Sequence, residues 1–282
     1  MNVPDNKICA GIVTFNPDFN RLQKCFDSVI SQVAYVIIAD NNSSNIAQII
    51  EKYSNNPRVY IIKNSTNAGI AKALNQIFER AKELNFNWVY TLDQDTVTLD
   101  GTLENLGALR VLSNVGIICP KVVFNGTNLV HSTKQEYDYI EACMTSGSLT
   151  SIKAWEDVKG FDEWMFIDLV DNDFCMRLAL LEYKVIRTSK AVMNHELGSQ
   201  SKVRMPFNKN VLIFNHSHFR NYYYVRNSVY FIRKYHKRIN VPKKVSILIY
   251  WEFKKILFEK GKLLTLKSAF NGFFDGIKAS IS

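Results

Sequence analysis

The chain has 282 residues, of which 47% are hydrophobic and 22% are charged, a composition typical of a folded globular protein and unlike that of a disordered chain. No apolar run approaches the ~20 residues that a membrane-spanning helix requires, and the polar N-terminal residues do not resemble a secretory signal, so we expect a cytoplasmic chain. The five cysteines are scattered, and their spacing predicts reduced core thiols rather than a zinc site or a redox motif.

The net charge of +9 is distributed unevenly along the chain. Residues 1–201 carry 18 Lys and Arg against 23 Asp and Glu, whereas residues 202–282 carry 17 against three, a net charge of +14. Such an asymmetry favours a polyanionic partner, either a nucleic acid or an anionic membrane surface. A basic surface that only keeps the protein soluble is the alternative.

The first third of the chain alternates between short apolar runs and helical periodicities. The runs rich in Val, Ile and Tyr predict strands at 8–14, 35–40, 58–63 and 87–92. Between them, the spacing of apolar residues predicts helices at 21–31, 45–53 and 70–84. This alternation predicts an α/β fold with a mostly parallel, Rossmann-like sheet flanked by helices.

Short polar side chains follow each of the four predicted strands. Ligands of parallel sheets bind beyond the carboxyl ends of the strands, so these side chains would meet at one edge of the sheet. Asn, Asp, Ser and Gly also form turns that bind nothing, and any single loop is weak evidence. Together the loops predict a polar binding cleft. The residues at the four strand ends are Thr14 and Asn16, Asp40 and Asn42, Asn67 and Gly69, and Asp93 and Asp95.

The sequence lacks the glycine-rich motifs that commonly bind phosphates, so a bound diphosphate would need another source of positive charge. Of Asp93 and Asp95, one could bind a hard divalent cation that keeps phosphate oxygens as further ligands and the other a ribose or water, although an isolated pair of this kind is more often a polar turn. His195 follows a strand-like segment and could complete a mixed carboxylate–imidazole site for Mn²⁺ or Mg²⁺. From the spacing alone, a structural histidine fits equally well.

A second acidic cluster opens a predicted helix. Asp168, Asp171 and Asp173 fall within six residues, and the helix dipole favours carboxylates in a first turn. Capping therefore explains part of the cluster without any chemistry. Three carboxylates exceed what a cap needs, and one of them could act as a general base.

The order of these motifs resembles that of the inverting family 2 glycosyltransferases of the GT-A fold. The resemblance covers residues 8–235 and is most specific at 92–95 and 166–177, with support from 195–198. Within that family the chain is most similar to the bacterial rhamnosyltransferases of O-antigen and capsule synthesis. The segments that carry this closer similarity are 14–17, 40–43, 67–70, 166–168 and 222–227.

The resemblance implies a role for each matching residue on the donor side. A nucleoside-diphosphate sugar, such as dTDP-rhamnose or a UDP-hexose, would bind there, and Mn²⁺ or Mg²⁺ on its diphosphate would be held by Asp95 and His195. Arg226 would assist the departing diphosphate with its positive charge. The implied nucleotide-sugar-binding residues are Thr14, Asn16, Asp40, Asn42, Asn67, Gly69, Asp93 and Arg226.

On the acceptor side, the resemblance implies that Asp171 is the catalytic base. Many members have Glu immediately before this aspartate, whereas this chain has Val170, so Asp168 stays open as a rival base. The reaction implied is the transfer of a sugar, with inversion, to a hydroxyl group of a glycan or lipid-linked glycan. The neighbouring acceptor-side residues are Asp168, Asp173, Ser146 and Gly147.

The C-terminal part of the chain reads as a separate helical and basic segment. We predict a catalytic domain at 1–204, with a nucleotide-sugar-binding half at 1–97 and an acceptor-binding half at 98–204, followed by the helical segment at 205–282. Apolar residues in this segment recur at helical steps beside lysines, as in a helix that lies on an anionic membrane at the inner face of the cell. Packing against the catalytic domain or in a homodimer contact would produce the same pattern.

Three other classes of protein are alternatives to this interpretation. A nucleic-acid-binding protein would use the basic segment and the tyrosines at 222–224, but it leaves the polar loops and both acidic clusters without a role, so we expect no nucleic-acid partner. A sugar nucleotidyltransferase usually has a glycine-rich basic loop after the first strand, which residues 14–17 do not form. A catalytically dead sugar-binding relative is opposed only by the retained acidic residues.

Overall fold

A computed structural model of the protein describes residues 5–124, 135–195, 201–204, 210–213, 217–259 and 261–281. The chain divides into two compact units. The first unit consists of Met1–Phe166 and Val170–Glu196, and the second of Ile167–Leu169 and Leu197–Ser282. The predicted domain boundary after residue 204 borders residues outside the described ranges, and it stays a prediction.

The first unit is built on an eight-stranded sheet in the order β3-β2-β1-β4-β7-β5-β8-β6. Strand β7 runs antiparallel to β4 and β5, β6 runs antiparallel to β8, and the other neighbours are parallel. The predicted mostly parallel α/β sheet is therefore confirmed. The strands are β1 (Asp5–Thr14), β2 (Val33–Asp40), β3 (Val59–Lys63), β4 (Trp88–Asp93), β5 (Val115–Phe124), β6 (Tyr137–Tyr139), β7 (Ser148–Ser151) and β8 (Lys184–His195).

The helices of the first unit follow the predicted alternation, and each of the seven predicted elements ends within three residues of its observed bounds. Asp18 caps α1 by accepting a hydrogen bond from the Arg21 amide at 3.0 Å. The buried face of α1 then follows three- and four-residue steps through Leu22, Phe26 and Val29. The helices are α1 (Phe19–Ile30), α2 (Ile46–Tyr53), α3 (Gly69–Glu83), α4 (Thr102–Gly107), α5 (Ile152–Asp157) and α6 (Val170–Leu180).

The core of the first unit lies between the sheet and these helices. Strand residues such as Ile12 and Ile38 are completely buried, and each apolar side chain removed from water contributes about 1.5–3 kcal/mol. Cys9 in β1 and Cys25 in α1 belong to this core, and burial raises the pKa of both thiols. These cysteines are therefore packing residues, as the sequence predicts.

The second unit contains the hairpin of β9 (Ser201–Arg204) and β10 (Asn210–Ile213) and three helices, α7 (His218–Tyr235), α8 (Val241–Phe258) and α9 (Lys262–Lys278). Helices α7 and α9 approach closely at two glycines. A Cβ atom on Gly272 would lie 2.5 Å from the Tyr222 carbonyl oxygen, and one on Gly276 would lie 2.5 Å from the Arg226 carbonyl oxygen. Among the residues that the structure describes, no helix is both long and apolar enough to cross a membrane.

Candidate active site

The ends of β1 and β2 are joined by the buried carboxylate of Asp40. This carboxylate accepts hydrogen bonds from the Thr14 hydroxyl at 2.9 Å and from the Ser43 amide and hydroxyl at 2.8 and 2.5 Å. Asp40 is 1% exposed, and a buried charge of this kind requires several donors. Thr14 and Asp40 are thus brought together as predicted. Ser43 is a second hydrogen-bond donor to Asp40 that was not predicted from the sequence.

Asn16 fastens the loop after β1 to the loop after β2. Its backbone is left-handed with φ of 45°, a conformation that asparagine tolerates better than most residues. Its side-chain oxygen accepts hydrogen bonds from the Ser44 amide and hydroxyl at 2.8 and 2.9 Å, and its own amide donates to the Ser43 hydroxyl at 2.8 Å. Asn42, also left-handed with φ of 66°, is exposed on the same rim.

The loop after β3 is shaped by Asn67 and Gly69. The Asn67 side-chain oxygen accepts a hydrogen bond from the Gly69 amide at 3.0 Å, and the Ile70 amide donates to the Phe166 carbonyl at 2.7 Å. Gly69 has φ of 83°, and a Cβ atom there would lie 2.5 Å from the Phe166 ring. Only glycine fits this position, which ties the start of α3 to the turn that precedes the second acidic cluster.

Behind these loops lies a network of amide side chains. Asn41 donates to the Gly69 carbonyl at 3.1 Å, Asn64 donates to the Asn41 side-chain oxygen at 3.0 Å, and Gln76 donates to Asn64 at 2.8 Å. The network fixes the loop after β3 against the loop after β2. The sequence does not mark these three residues as site residues, because asparagine in a turn and glutamine on a helix have many uses.

The end of β4 lies against the segment that the sequence analysis placed on the acceptor side. The Asp93 amide donates to the Ser146 hydroxyl at 2.9 Å, and the Gly147 amide donates to the Thr91 carbonyl at 2.7 Å. Gly147 has φ of 78°, and a Cβ atom there would overlap the Met193 sulfur. The structure therefore brings Asp93, Ser146 and Gly147 together at one strand end. An apolar pocket of about 200 Å³ also reaches Ser146.

The predicted metal ligands are described in part. The Asp95 carboxylate is 44% exposed and lies 3.8 Å from the Arg21 guanidinium. His195 is the last residue of β8, where it pairs with Phe124, and its side chain lies outside the described part of the chain. In the described ranges, the structure groups no three His, Cys, Asp or Glu side chains in a way that could hold a metal ion.

Asp171 and Asp173 share the first turn of α6 but have different surroundings. Asp173 is completely buried, and its carboxylate accepts a hydrogen bond from Arg177 Nε at 2.7 Å. The same guanidinium donates to the Val158 and Gly160 carbonyls at 2.6 and 2.5 Å, so this ion pair holds the loop after α5. Asp171 is half-buried and keeps contact with solvent.

Asp168 belongs to the second unit. Both of its carboxylate oxygens accept hydrogen bonds from the Arg220 guanidinium, at 2.9 to 3.2 Å. The backbone there is held as well, because the buried Asn227 side chain donates to the Ile167 and Asp168 carbonyls at 2.7 and 2.9 Å. Arg220 and Asn227 are partners that the sequence analysis did not assign to this aspartate.

Arg226 lies on α7 in the same unit and is 9% exposed. Its guanidinium carbon lies 4.5 Å from the centre of the Tyr223 ring, and its Nε donates to the Asn227 side-chain oxygen at 3.0 Å. These contacts give Arg226 a structural role within the second unit. Its predicted contact with a diphosphate stays a prediction.

The order of these elements and of their strand-end residues agrees with a known family. The profile described as Glycosyl transferase family 2 matches residues 9–186, which is more than half of the chain. The chain belongs to this family.

Similar proteins extend this result for the family 2 glycosyltransferase. The dTDP-rhamnosyl transferase RfbF of Shigella flexneri is 26% identical over 97% of this chain and 96% of its own length. Among solved structures, TarS of S. aureus, residues 1–349, has a TM-score of 0.59 at 18% identity over 96% of this chain and 80% of its own, and it has also been solved with UDP and with UDP-GlcNAc. GalNAc-T7, solved with UDP, GalNAc and Mn²⁺, has a TM-score of 0.64 at 12% identity, and the match covers 97% of this chain and 56% of GalNAc-T7. These structures share the GT-A fold, which confirms the predicted fold class.

Proposed function

We propose that this family 2 glycosyltransferase moves L-rhamnose from dTDP-rhamnose to a hydroxyl group of a glycan or lipid-linked glycan in the synthesis of a bacterial surface polysaccharide. The observation that carries the choice of sugar is the similarity to RfbF, which extends over nearly the full length of both proteins. A UDP-hexose is the alternative donor. The two donors differ in the base and in the ribose 2′-hydroxyl, and the loops after β1 and β2 would have to distinguish them.

Asp171 is the catalytic base in this proposal. The two neighbouring carboxylates are less accessible to an acceptor, since Asp173 is completely buried and the Arg220 guanidinium binds both oxygens of Asp168. Asp171 lies in the first turn of α6 and retains exposed surface, which an incoming acceptor requires. A general base must come within hydrogen-bond distance of the proton that it removes.

The reaction is a single displacement at the anomeric carbon. Asp171 takes the proton from the acceptor hydroxyl, the hydroxyl oxygen forms a bond to the anomeric carbon, and the bond between that carbon and the diphosphate oxygen breaks. Attack from the face opposite the leaving group inverts the anomeric configuration. Because the loop after β1 and the Ser146 segment both contact the end of β4, donor and acceptor would be held in line, which supplies much of the rate.

We also propose a divalent cation, Mn²⁺ or Mg²⁺, on the diphosphate of the donor. The chemistry of Asp95 fits such an ion, because it is a carboxylate in the turn just after β4, is 44% exposed, and lies 3.8 Å from Arg21. His195 would be the second protein ligand, beside Asp95. The cation would supply positive charge to the departing diphosphate. This charge is needed because the sequence lacks the glycine-rich motifs that commonly bind phosphates.

The acceptor is proposed to be presented at the inner face of the cell membrane, with the protein bound there peripherally. Lipid-linked glycans are anchored in the bilayer, so an enzyme that uses them gains from binding to the same surface. The apolar pocket that includes Ser146 and Cys143 lies on the acceptor-side segment and would bind part of the acceptor.

Calorimetric titration with dTDP and UDP, each with and without Mn²⁺ or Mg²⁺, tests the donor. We expect metal-dependent binding of dTDP in preference to UDP. A preference for UDP would keep the mechanism and overturn the choice of rhamnose. Binding of neither nucleotide would favour a dead relative of the family or an ordered mechanism in which the acceptor binds first.

Replacement of Asp171 by Asn tests the base. We expect the Asp171→Asn variant to bind dTDP as the wild type does and to lose transfer by about 10²–10⁴-fold, the usual contribution of a general base. Asp157→Asn is the matched control, because it removes an exposed carboxylate that is paired with Lys153 in the same unit. Wild-type turnover by Asp171→Asn would overturn the assignment.

A further inference from the structure

Helix α9 presents a continuous apolar face to solvent. Of the 24 large apolar residues that are exposed in the described ranges, 14 lie between residues 245 and 281. Seven lie on α9, and six of these are spaced so that they fall on one side of the helix, whereas Leu264 lies off that side. This set, called here the α9 apolar face, consists of Leu263, Leu266, Phe270, Phe273, Phe274 and Ile277, each 41–82% exposed.

The packing of α9 explains why its large side chains remain outside. The side of α9 that contacts α7 contains the buried residues Thr265, Gly272 and Gly276. The two glycines let the helix backbones approach until no Cβ atom would fit between them. Small residues therefore form the contact with α7, and the large apolar side chains of α9 project from other sides of the helix, where they are partly exposed.

Helix α8 adds apolar surface in the same unit. Val245, Ile249, Phe253 and Leu257 follow one another at four-residue steps and are 38–63% exposed. Monomeric soluble proteins rarely expose so many large apolar side chains close together, and such surfaces usually bind a partner or a membrane.

The charges around these residues identify the partner. Lys267 and Lys278 border the α9 apolar face, and both are exposed. Three further lysines, Lys243, Lys244 and Lys262, are exposed at the starts of α8 and α9. Between residues 241 and 281 the acidic residues are Glu252 and Glu259, which are half-buried, and the exposed Asp275.

We propose that the α9 apolar face docks on an anionic lipid bilayer, with its aromatic side chains at the boundary between headgroups and acyl chains and the lysines on the anionic headgroups. Apolar side chains flanked by lysines are the features that bind helices to such surfaces. A second copy of the chain is disfavoured as the occupant, because a symmetric contact would bring like-charged lysines together. This proposal rests on the proposed function in one respect, which is that the membrane would carry the lipid-linked acceptor.

Vesicle flotation tests the proposal without donor or acceptor. We expect the wild type to float with phosphatidylcholine vesicles that contain phosphatidylglycerol and to bind at least about tenfold more weakly to phosphatidylcholine alone. The Phe270→Glu/Phe274→Glu variant should lose binding to both, and Lys267→Glu/Lys278→Glu should lose it to the anionic vesicles. Val111→Glu, which changes an apolar residue that is 88% exposed in the first unit, is the matched control and should float like the wild type.

Three results would overturn the proposal. The wild type could fail to float with either vesicle, it could float equally with both, or Val111→Glu could lose binding as fully as the phenylalanine variant. A dimer in sedimentation that the phenylalanine variant abolishes, without lipid binding by the wild type, would assign the face to a second copy. Circular dichroism and dTDP binding of each variant separate loss of docking from misfolding and from failure of the proposed donor.

Discussion

Replacing Arg177 by Met should destabilise the first unit by about 3–5 kcal/mol, the usual result of breaking a buried ion pair from one side. The Asp173 carboxylate is completely buried and would lose the guanidinium that lies 2.7 Å away. The carbonyls of Val158 and Gly160 would lose the same donor. Met fills a similar volume, so the loss reports the charge and the hydrogen bonds rather than a cavity. The free energy of unfolding from urea titration measures it.

Lys153→Met is the matched control for this variant. Lys153 and Asp157 form an ion pair with the same four-residue spacing at 2.8 Å, but both side chains are exposed, and exposed pairs contribute little to stability. We expect the control to unfold like the wild type. An Arg177→Met protein that also unfolds within about 1 kcal/mol of the wild type would refute the reasoning, because the buried pair would then be far weaker than such pairs usually are. It would also return Asp173 to the candidates for the catalytic base.

Three further predictions follow from single contacts. Gly69→Ala should lower the unfolding temperature well below that of Gly101→Ala, because both glycines are left-handed but a Cβ atom on Gly101 has no neighbour closer than 3.9 Å. Asn227→Ala should lower the turnover rate more than the affinity for dTDP, since it frees two carbonyls in the loop that leads into α6; equal losses of both would contradict this. Burial raises the pKa of the Cys9 and Cys25 thiols, so iodoacetamide at neutral pH should label both only in the denatured protein, as peptide mass spectrometry can show.

The α/β architecture was predictable because its signals are local. Buried parallel strands need a continuous apolar run such as the one in β2, and α3 needs apolar residues every three or four positions. Each element can therefore be recognised within one short stretch of sequence. The meeting of polar side chains at one edge of the sheet was predictable from the topology. Parallel strands deliver their carboxyl ends to one edge, which is why Thr14 and Asp40 could be expected to meet.

The division of roles among the three aspartates was not predictable from the sequence. Asp171 and Asp173 differ by about 200° around a helix of 3.6 residues per turn, so Asp173 faces the core while Asp171 stays partly exposed to solvent. Which of them is buried depends on how α6 is rotated against the sheet. Asp168 was equally ambiguous, because its partner Arg220 is 52 residues away and only the folded chain brings the two together.

Transfer of labelled rhamnose tests the central claim most directly. The wild type and Asp171→Asn would each be incubated with membranes of the source cells and Mn²⁺ or Mg²⁺, and either dTDP-rhamnose or a UDP-hexose would be the donor. The account predicts that the wild type incorporates rhamnose from dTDP-rhamnose, incorporates no sugar from the UDP-hexose, and loses incorporation in Asp171→Asn. Incorporation from the UDP-hexose alone, or equal rhamnose incorporation by Asp171→Asn, would contradict it.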